Sequence, residues 1–172
     1  MKPLVVLFLL FGCTKAMPPA NETQETATRS TPAAATAAPA PATNGPRVIL
    51  PDGFVVSVEV VADDELRAQG LMYRDHLEPT AGMLFFFPAD GEYPFWMKNT
   101  RIPLDMIWID SSQRIAAVRH DVPPCRTTDC PSYPPNATAR YVLEVAAGGA
   151  RQHGLKAGDQ LRFEGTGHVV PR

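Results

Sequence analysis

The sequence predicts a mainly β protein, a compact single domain of the β-sandwich or barrel type with two short helices, preceded by a disordered linker. Short apolar segments rich in β-branched and aromatic residues recur through residues 47–172. Turn-forming residues separate these segments at intervals of about 8–12 residues, which is typical of all-β folds. The sequence lacks the period of about 3.6 residues that long amphipathic helices require, which argues against helical bundles and doubly wound folds.

The domain begins with a predicted hairpin. Its strands are Arg47–Leu50 and Phe54–Val61, and the turn tripeptide Pro51-Asp52-Gly53 connects them. Further strands are predicted at 82–87, where Pro88 closes the strand, and at 95–98, 106–109, 114–119, 141–145 and 160–164.

Two short helices interrupt the strands. Asp63 or Asp64 is expected to cap a helix over 65–69, and Gly70 is expected to end it. The second helix is predicted over 149–153, just before another glycine. Both segments are too short to form a helical layer, so they are expected to connect strands.

The N-terminus has the parts of a secretory signal. A positive start precedes an apolar run over residues 4–11, which is too short to span a membrane. Leu10-Phe11-Gly12-Cys13 resembles the lipobox of bacterial lipoproteins, which implies cleavage after residue 12 and a lipid on Cys13. Thr14 rather than Asp favours the periplasmic side of the outer membrane, by resemblance to enterobacterial sorting. The alternative is an ordinary signal with a cysteine nearby by chance.

The segment that follows, residues 13–46, is expected to be a tether. Residues 14–46 contain 23 Ala, Pro or Thr among 33. Such a composition cannot bury enough apolar surface to offset the entropy of ordering, which predicts disorder. Lipid and tether together indicate an extracytoplasmic domain that is anchored to a membrane.

Charge excludes one class of partner. From residue 47 onward the chain has 13 basic and 16 acidic side chains, so no basic footprint for nucleic acid is present. The histidines lack metal spacing, and we expect no cofactor and no metal site. The oligomeric state is left open.

Cys125 and Cys130 stand close together in a proline-rich segment. In an oxidising compartment two such thiols are expected to pair as a structural disulfide. Redox exchange and a metal site are the alternatives, but exchange motifs usually have two intervening residues and zinc needs further ligands.

A polar group at a strand end is the candidate binding site. Strand alternation places Phe95 and Met97 on one face, with Trp96 and Lys98 on the other. Donors and acceptors at a strand end beside an aromatic residue would suit a small polar ligand or a sugar. The candidate binding residues are Trp96, Lys98, Asn99, Thr100, Asp105, Arg67, Arg74 and Tyr133.

Part of this group has a purely structural interpretation. Asn99 and Thr100 could satisfy a turn, while Asp105 pairs with Lys98 or Arg101. Arg67 and Arg74 could together bind an anion, or could lie on a solvated face.

Two other chemistries are open. Asp105 and Lys98 could act as acid and base in an enzyme, and Glu59, Glu144 and Asp105 could supply a carboxylate pair. Thioethers suit Cu(I), although methionine in an apolar strand more often fills gaps in a core. The methionines concerned are Met72, Met83, Met97 and Met106.

Several motifs together resemble the DUF192 family across residues 47–165. They are Glu65-Leu66-Arg67-Ala68-Gln69-Gly70-Leu71-Met72-Tyr73-Arg74, Gly82-Met83-Leu84-Phe85, Phe95-Trp96-Met97-Lys98-Asn99-Thr100, Ile102-Pro103-Leu104-Asp105, Ile109-Asp110, Pro124-Cys125 with Cys130-Pro131 and Tyr133, Tyr141-Val142-Leu143-Glu144, and Gly154-Leu155-Lys156-Ala157-Gly158-Asp159. The resemblance implies a compact β-rich domain, often exported, without an assigned activity.

The sequence therefore predicts a membrane-anchored envelope lipoprotein whose domain binds a partner protein, a peptide or a glycan. The alternatives are an enzyme acting on envelope material and a methionine-based copper-handling protein.

Overall fold

The computed structural model describes residues 45–167. The signal segment, Cys13 and the tether up to residue 44 lie outside the described residues. Within the described part, no helix has the length and apolarity that a membrane crossing requires.

The domain is mainly β, as predicted. Its elements in chain order are β1 (Arg47–Ile49), β2 (Val55–Val61), α1 (Asp64–Gln69), β3 (Ala81–Gly91), β4 (Phe95–Trp96), β5 (Leu104–Ile109), β6 (Ile115–Val122), β7 (Ser132–Tyr133), β8 (Ala139–Ala146), α2 (Gly149–Gln152) and β9 (Arg162–Glu164).

Seven of the strands form one mixed sheet in the order β6-β5-β8-β3-β2-β1-β9. All neighbours are antiparallel except β2 and β3, which are parallel and are joined by a crossover that contains α1. At one end the two edges of the sheet meet: Leu161 N donates to Gln113 O (2.9 Å) and Ile115 N donates to Asp159 O (2.9 Å). The sheet therefore curves toward a barrel.

The central strands are buried on both faces, which explains their continuous apolar sequences. In β3, Leu84 and Phe86 belong to one hydrophobic cluster, whereas Met83 and Phe85 belong to the other. The second cluster, which we call the outer cluster, also contains Leu71 from the crossover. The crossover and the loops around β4 and β7 thus cover the outer face of the sheet, and the candidate site is built on this cover.

The local signals for hairpin and helices are confirmed. β1 and β2 pair around the predicted turn, and Gly53 N donates to Leu50 O (2.9 Å). The side chain of Asp63 accepts from Leu66 N (2.8 Å), which caps α1. Gly70 ends α1 with a φ of 47°, a conformation that glycine adopts easily.

The prediction that Pro88 closes the third strand is wrong. β3 continues to Gly91, and its register with β8 shifts between Phe86 and Gly91. Proline lacks a backbone donor but is tolerated where the pairing is irregular, so the strand passes through it. The two-residue strand β7 was not predicted, because so short a segment carries no periodicity.

Candidate functional site

An exposed aromatic surface lies where the crossover after α1 meets the segment after β4. We define it by Tyr73, Trp96, Lys98, Asn99 and Arg101. Among the described residues, the large apolar side chains that remain exposed are Tyr73 (56 %), Leu66 (48 %) and Trp96 (47 %). Two of these three exposed side chains, Tyr73 and Trp96, belong to the two segments that meet here.

Asn99 holds Tyr73, one of the two aromatic residues of this surface. Its carbonyl accepts from Tyr73 N (2.9 Å), and its side-chain amide donates to Tyr73 Oη (2.8 Å). Both residues have left-handed backbones, with φ of 56° at Asn99 and 64° at Tyr73. Such a conformation is uncommon for a bulky residue such as tyrosine and costs free energy, so the mutual hydrogen bonds hold Tyr73 in place.

A cation accompanies each aromatic ring. Lys98 Nζ lies 5.4 Å from the centroid of the Trp96 ring, and the guanidinium of Arg101 lies 5.8 Å from the centroid of the Tyr73 ring. Arg101 also forms an ion pair with Asp75 (3.0 Å). The strand alternation predicted for this segment is confirmed, since Met97 is fully buried beneath Trp96 and Lys98.

An open depression of about 340 Å³ adjoins the Tyr73 side of this surface. Its walls combine one aromatic ring, one amide, one carboxylate and two guanidinium groups. The lining residues are Tyr73, Asp75, Asn99, Arg101 and Arg126. A shallow site of mixed polarity with several donors suits a polar ligand better than an apolar one.

The disulfide predicted between Cys125 and Cys130 is present, and its loop supports the aromatic surface. Asn99 N donates to Cys125 O (3.0 Å), and Cys125 N donates to Met97 O (3.2 Å). Tyr133 is half-buried and lies opposite Phe95 in the β4–β7 pair, behind the exposed ring of Trp96. Cys125 and Tyr133 are therefore supports of the site rather than contact residues.

Reducing the Cys125–Cys130 disulfide should loosen this support. Closing so short a loop stabilises the fold by about 2 kcal/mol in the chain-entropy model. We expect the Cys125→Ser/Cys130→Ser variant to lose about that much unfolding free energy in denaturant titrations, and amide exchange at Asn99 to accelerate. Unchanged exchange at Asn99 would show that the loop does not support the site. The exposed variant Thr128→Ser is the control.

A second, small cavity of about 20 Å³ lies between the end of α1 and the β4 segment. Residues 67–71 and the buried Thr100 and Glu144 belong to its lining. Trp96 and Lys98 line the cavity as well, so it opens next to the aromatic surface. We call it the Glu144 cavity. Its volume is enough for about one water-sized group.

Glu144 is the notable side chain of this cavity. It lies in β8 between Met83 and Met106 of the neighbouring strands and is 4 % exposed. Desolvation by burial raises the pKa of its carboxyl to about 8. The carboxyl is therefore mostly protonated at neutral pH.

Asp105 does not join the aromatic surface, and this part of the prediction is wrong. The residue is fully buried, and its carboxylate accepts from Asp121 N (2.7 Å) and Ala150 N (2.8 Å). Its neighbours Leu104 and Met106 face the outer cluster, so Asp105 points to the opposite face of the sheet. The predicted pairing with Lys98 or Arg101 is likewise not among its hydrogen bonds.

Arg67 and Arg74 do not form an anion site together, because their donors are already used. Arg74 makes two hydrogen bonds to Glu59 (2.5 and 2.6 Å), and these bonds hold the pKa of Glu59 below its usual range. Arg67 donates to Phe86 O (2.8 Å) and pairs with Asp64. Both guanidinium groups thus fasten the crossover to the sheet.

The carboxylates and methionines are also separated by the fold. Glu59 pairs with Arg74 and Asp105 faces away, so neither forms a carboxylate pair with Glu144. Met83, Met97 and Met106 are buried in the outer cluster, as gap-filling residues are. Within residues 45–167, no group of three or more His, Cys, Asp or Glu side chains is placed to hold a metal ion.

Sequence reasoning found Trp96, Lys98 and Asn99 of the aromatic surface but missed Tyr73. Tyr73 and Asn99 are 26 residues apart in the chain, so the sequence does not show that they are in contact. The polar residues that follow Tyr73 are a weak local indication of a site. Arg126 was missed because it lies in an irregular loop. Thr100 was named and lies in the Glu144 cavity, where its hydroxyl is 3.5 Å from Lys98 O.

A model of the DUF192 family, described as "Uncharacterized ACR", matches residues 48–163. The chain belongs to the DUF192 family. No curated protein matches it.

Two solved structures of similar proteins share the fold of this DUF192 chain. A protein of Sinorhizobium meliloti 1021, described as a candidate transcription regulator, is 35 % identical, and the match covers 70 % of this chain and 92 % of that one with a TM-score of 0.61. A protein of unknown function from Novosphingobium aromaticivorans DSM 12444 is 31 % identical, and the match covers 74 % and 94 % with a TM-score of 0.61. Neither comparison assigns a ligand.

Proposed function

We propose that this chain is a lipid-anchored envelope protein whose domain binds a glycan on the aromatic surface. Anchoring would occur through Cys13, and the tether would carry the domain away from the membrane toward the glycan of the envelope. The observation that carries the proposal is the pair of exposed rings, Tyr73 and Trp96, each with a cation beside it.

The chemistry of this surface suits a sugar chain. An exposed aromatic ring offers a flat apolar face with little conformational entropy to lose, against which the apolar face of a sugar can pack. Asn99, Lys98 and Arg101 supply hydrogen-bond donors around the rings for hydroxyl and acidic groups. A protein partner would instead favour a contiguous apolar core within a polar rim, whereas here a charged side chain lies beside each ring.

Removing either ring should weaken glycan binding. We expect Trp96→Ala and Tyr73→Ala each to lower the affinity of the full, detergent-solubilised chain for purified bacterial peptidoglycan by about tenfold, since a stacked ring contributes on the order of 1–2 kcal/mol. Co-sedimentation with insoluble peptidoglycan measures the bound fraction. Leu66→Ala is the matched control, because Leu66 is equally exposed but belongs to neither ring pair.

A second experiment distinguishes binding to the glycan strands of peptidoglycan from binding to its stem peptides. Removing the stem peptides with an amidase leaves bare glycan strands, and we expect the chain to bind these strands too. If binding disappears with the peptides, the ligand is a peptide and the glycan proposal fails. If both ring variants sediment as the unmodified chain does, the aromatic surface is not the binding site.

The Glu144 cavity favours a second candidate, an enzyme acting on envelope material. A protonated carboxyl beside a cavity is a possible general acid. In that case Glu144, rather than Asp105, would donate the proton, and Lys98 lines the same cavity. The same sedimentation experiment detects this activity as soluble products in the supernatant, whereas a binding module leaves the strands intact.

A further inference from the structure

Glu144 is a buried carboxyl group without a hydrogen-bond partner among residues 45–167. Burial is the cause that raises its pKa, with no hydrogen bond or charge acting against that effect. Among the described residues the fully enclosed side-chain atom without a partner is His120 Nδ1, so the Glu144 oxygens are instead reached through the cavity that they line. The side chain lines the Glu144 cavity, and a ligand atom in that cavity would be its partner.

The other polar groups of the cavity point to the charge of that ligand. Lys98 lines the cavity, and its ammonium group forms no ion pair with any residue that the structure describes. Thr100 adds a hydroxyl whose 3.5 Å contact with Lys98 O is long for a hydrogen bond. The lining of the cavity therefore supplies three kinds of donor: a cation, a hydroxyl and a protonated carboxyl.

Few charges face Glu144 from the surrounding elements. The nearest cationic side chains lie on the α1 end and on the β4 segment, and the acidic side chain of β2 is neutralised by its arginine partner. The charged groups on this side of the sheet are Arg67, Lys98, Glu59 with Arg74, and Arg119 opposite Met106, whereas Asp105 faces the other side. Because Arg67 pairs with Asp64 and Glu59 pairs with Arg74, Lys98 is the charge that gives the cavity lining its positive character.

We propose that the Glu144 cavity is a subsite for one carboxylate oxygen of the ligand, which Glu144 binds as a hydrogen-bond donor and Lys98 as a counter-ion. The glycan on the aromatic surface would then be one that carries free carboxylates. Naming the ligand a glycan rests on the proposed function, whereas the affinity of the cavity for a carboxylate does not.

Protonation of Glu144 is essential to this binding. A neutral carboxyl donates its O–H to the ligand oxygen, and such a charge-assisted hydrogen bond is strong. An ionised Glu144 would instead repel the ligand. Because the pKa is raised to about 8, the binding-competent form predominates at pH 6, and about one molecule in ten retains it one pH unit above the pKa.

Acetate is the simplest probe of the subsite. We expect sodium acetate to shift the side-chain carboxyl ¹³C resonance of Glu144 saturably at pH 6 in the full, detergent-solubilised chain, with ionic strength held constant by chloride. The affinity should be about tenfold lower at pH 9. Methyl acetate, which has no charge, should have no effect. Equal affinities at both pH values, equal effects of the ester, or no shift would overturn the proposal.

Two variants of residue 144 distinguish the contribution of its hydrogen-bond donor to acetate binding from the contribution of its charge. Glu144→Gln keeps a hydrogen-bond donor that does not titrate. Acetate should therefore bind this variant with the same affinity at pH 6 and pH 9. The backbone amide resonance of Thr100 reports this binding. Glu144→Met keeps the length of the side chain but removes the donor and should abolish the shift. Lys98→Met should weaken acetate at both pH values. Binding by Glu144→Met that equals the unmodified chain would contradict the subsite.

The glycan arm distinguishes the two proposals. Amidase-treated strands carry free muramic carboxylates, and methyl esterification of these strands should lower their affinity about tenfold. Strands that bind equally well before and after esterification, with acetate inactive, would overturn the subsite and leave the glycan proposal intact. Strands that do not bind, with acetate active, would overturn the glycan proposal and leave the carboxylate subsite standing.

Discussion

Replacing Asp105 with alanine is expected to destabilise the domain by about 3–5 kcal/mol. The carboxylate is fully buried and accepts from two backbone amides, Asp121 N on β6 and Ala150 N at the start of α2. Gly148 precedes α2 without a side chain that could cap it, so Asp105 supplies the cap from β5. Alanine would leave the buried Ala150 amide and the partly buried Asp121 amide without this acceptor.

Equilibrium unfolding in urea at pH 7 measures this loss. Asp105→Asn retains one acceptor oxygen and should cost about half as much, because one of the two amides would then face an NH₂ group. The exposed Glu92→Ala serves as the control and should stay within about 0.5 kcal/mol of the unmodified chain. A stable Asp105→Ala variant that has lost glycan binding would return Asp105 to the role that the sequence suggested.

Asp105 also shows where prediction from sequence reaches its limit. Asp105 follows the polar segment from Trp96 to Arg101 closely in the chain. The order of residues in this segment does not determine on which face of β5 the carboxylate lies. The strand is buried on both faces, so alternation of polar and apolar residues cannot decide the matter. Only the positions of Asp121 and Ala150, 16 and 45 residues away, do so.

The parts of the fold that were predicted correctly depend on short-range chemistry. The hairpin follows from the turn tripeptide after Leu50, and α1 follows from the Asp63 cap and Gly70. The strand order, the parallel β2–β3 pair and the meeting of the sheet edges near Leu161 depend on contacts between distant segments. A single sequence gives no direct information on such contacts.

The residues of the candidate site likewise divide into those that the local sequence predicts and those that depend on contacts between distant segments. Trp96 and Lys98 were found because strand alternation places them opposite the buried Met97. Tyr73 lies in the crossover between β2 and β3, and two hydrogen bonds to Asn99 hold it at the site. Glu144 was named only as one of several carboxylates, since a glutamate within Tyr141-Val142-Leu143-Glu144-Val145 gives no sign of facing a cavity.

Replacing Glu144 with glutamine is expected to stabilise the domain by about 3 kcal/mol at pH 7. The folded-state pKa of Glu144 is raised from 4.5 to about 8 by burial. The stability that this raised pKa confers is complete below pH 4.5 and is lost as the pH rises toward 8, because the unfolded chain ionises first. The loss amounts to about 1.4 kcal/mol per pH unit between these values.

Glutamine has nearly the same shape as the protonated acid and does not titrate. The two chains should therefore be about equally stable at pH 4, and the difference in unfolding free energy should grow to about 5 kcal/mol at pH 9. Urea titrations at pH 4, 5.5, 7 and 9 measure it, and Glu92→Gln, an exposed site, should show no growing difference. A difference that stays constant from pH 4 to pH 9 would mean that Glu144 ionises in the folded protein as it does in water. The carboxyl would then be solvated, and the donor on which the carboxylate subsite depends would be absent.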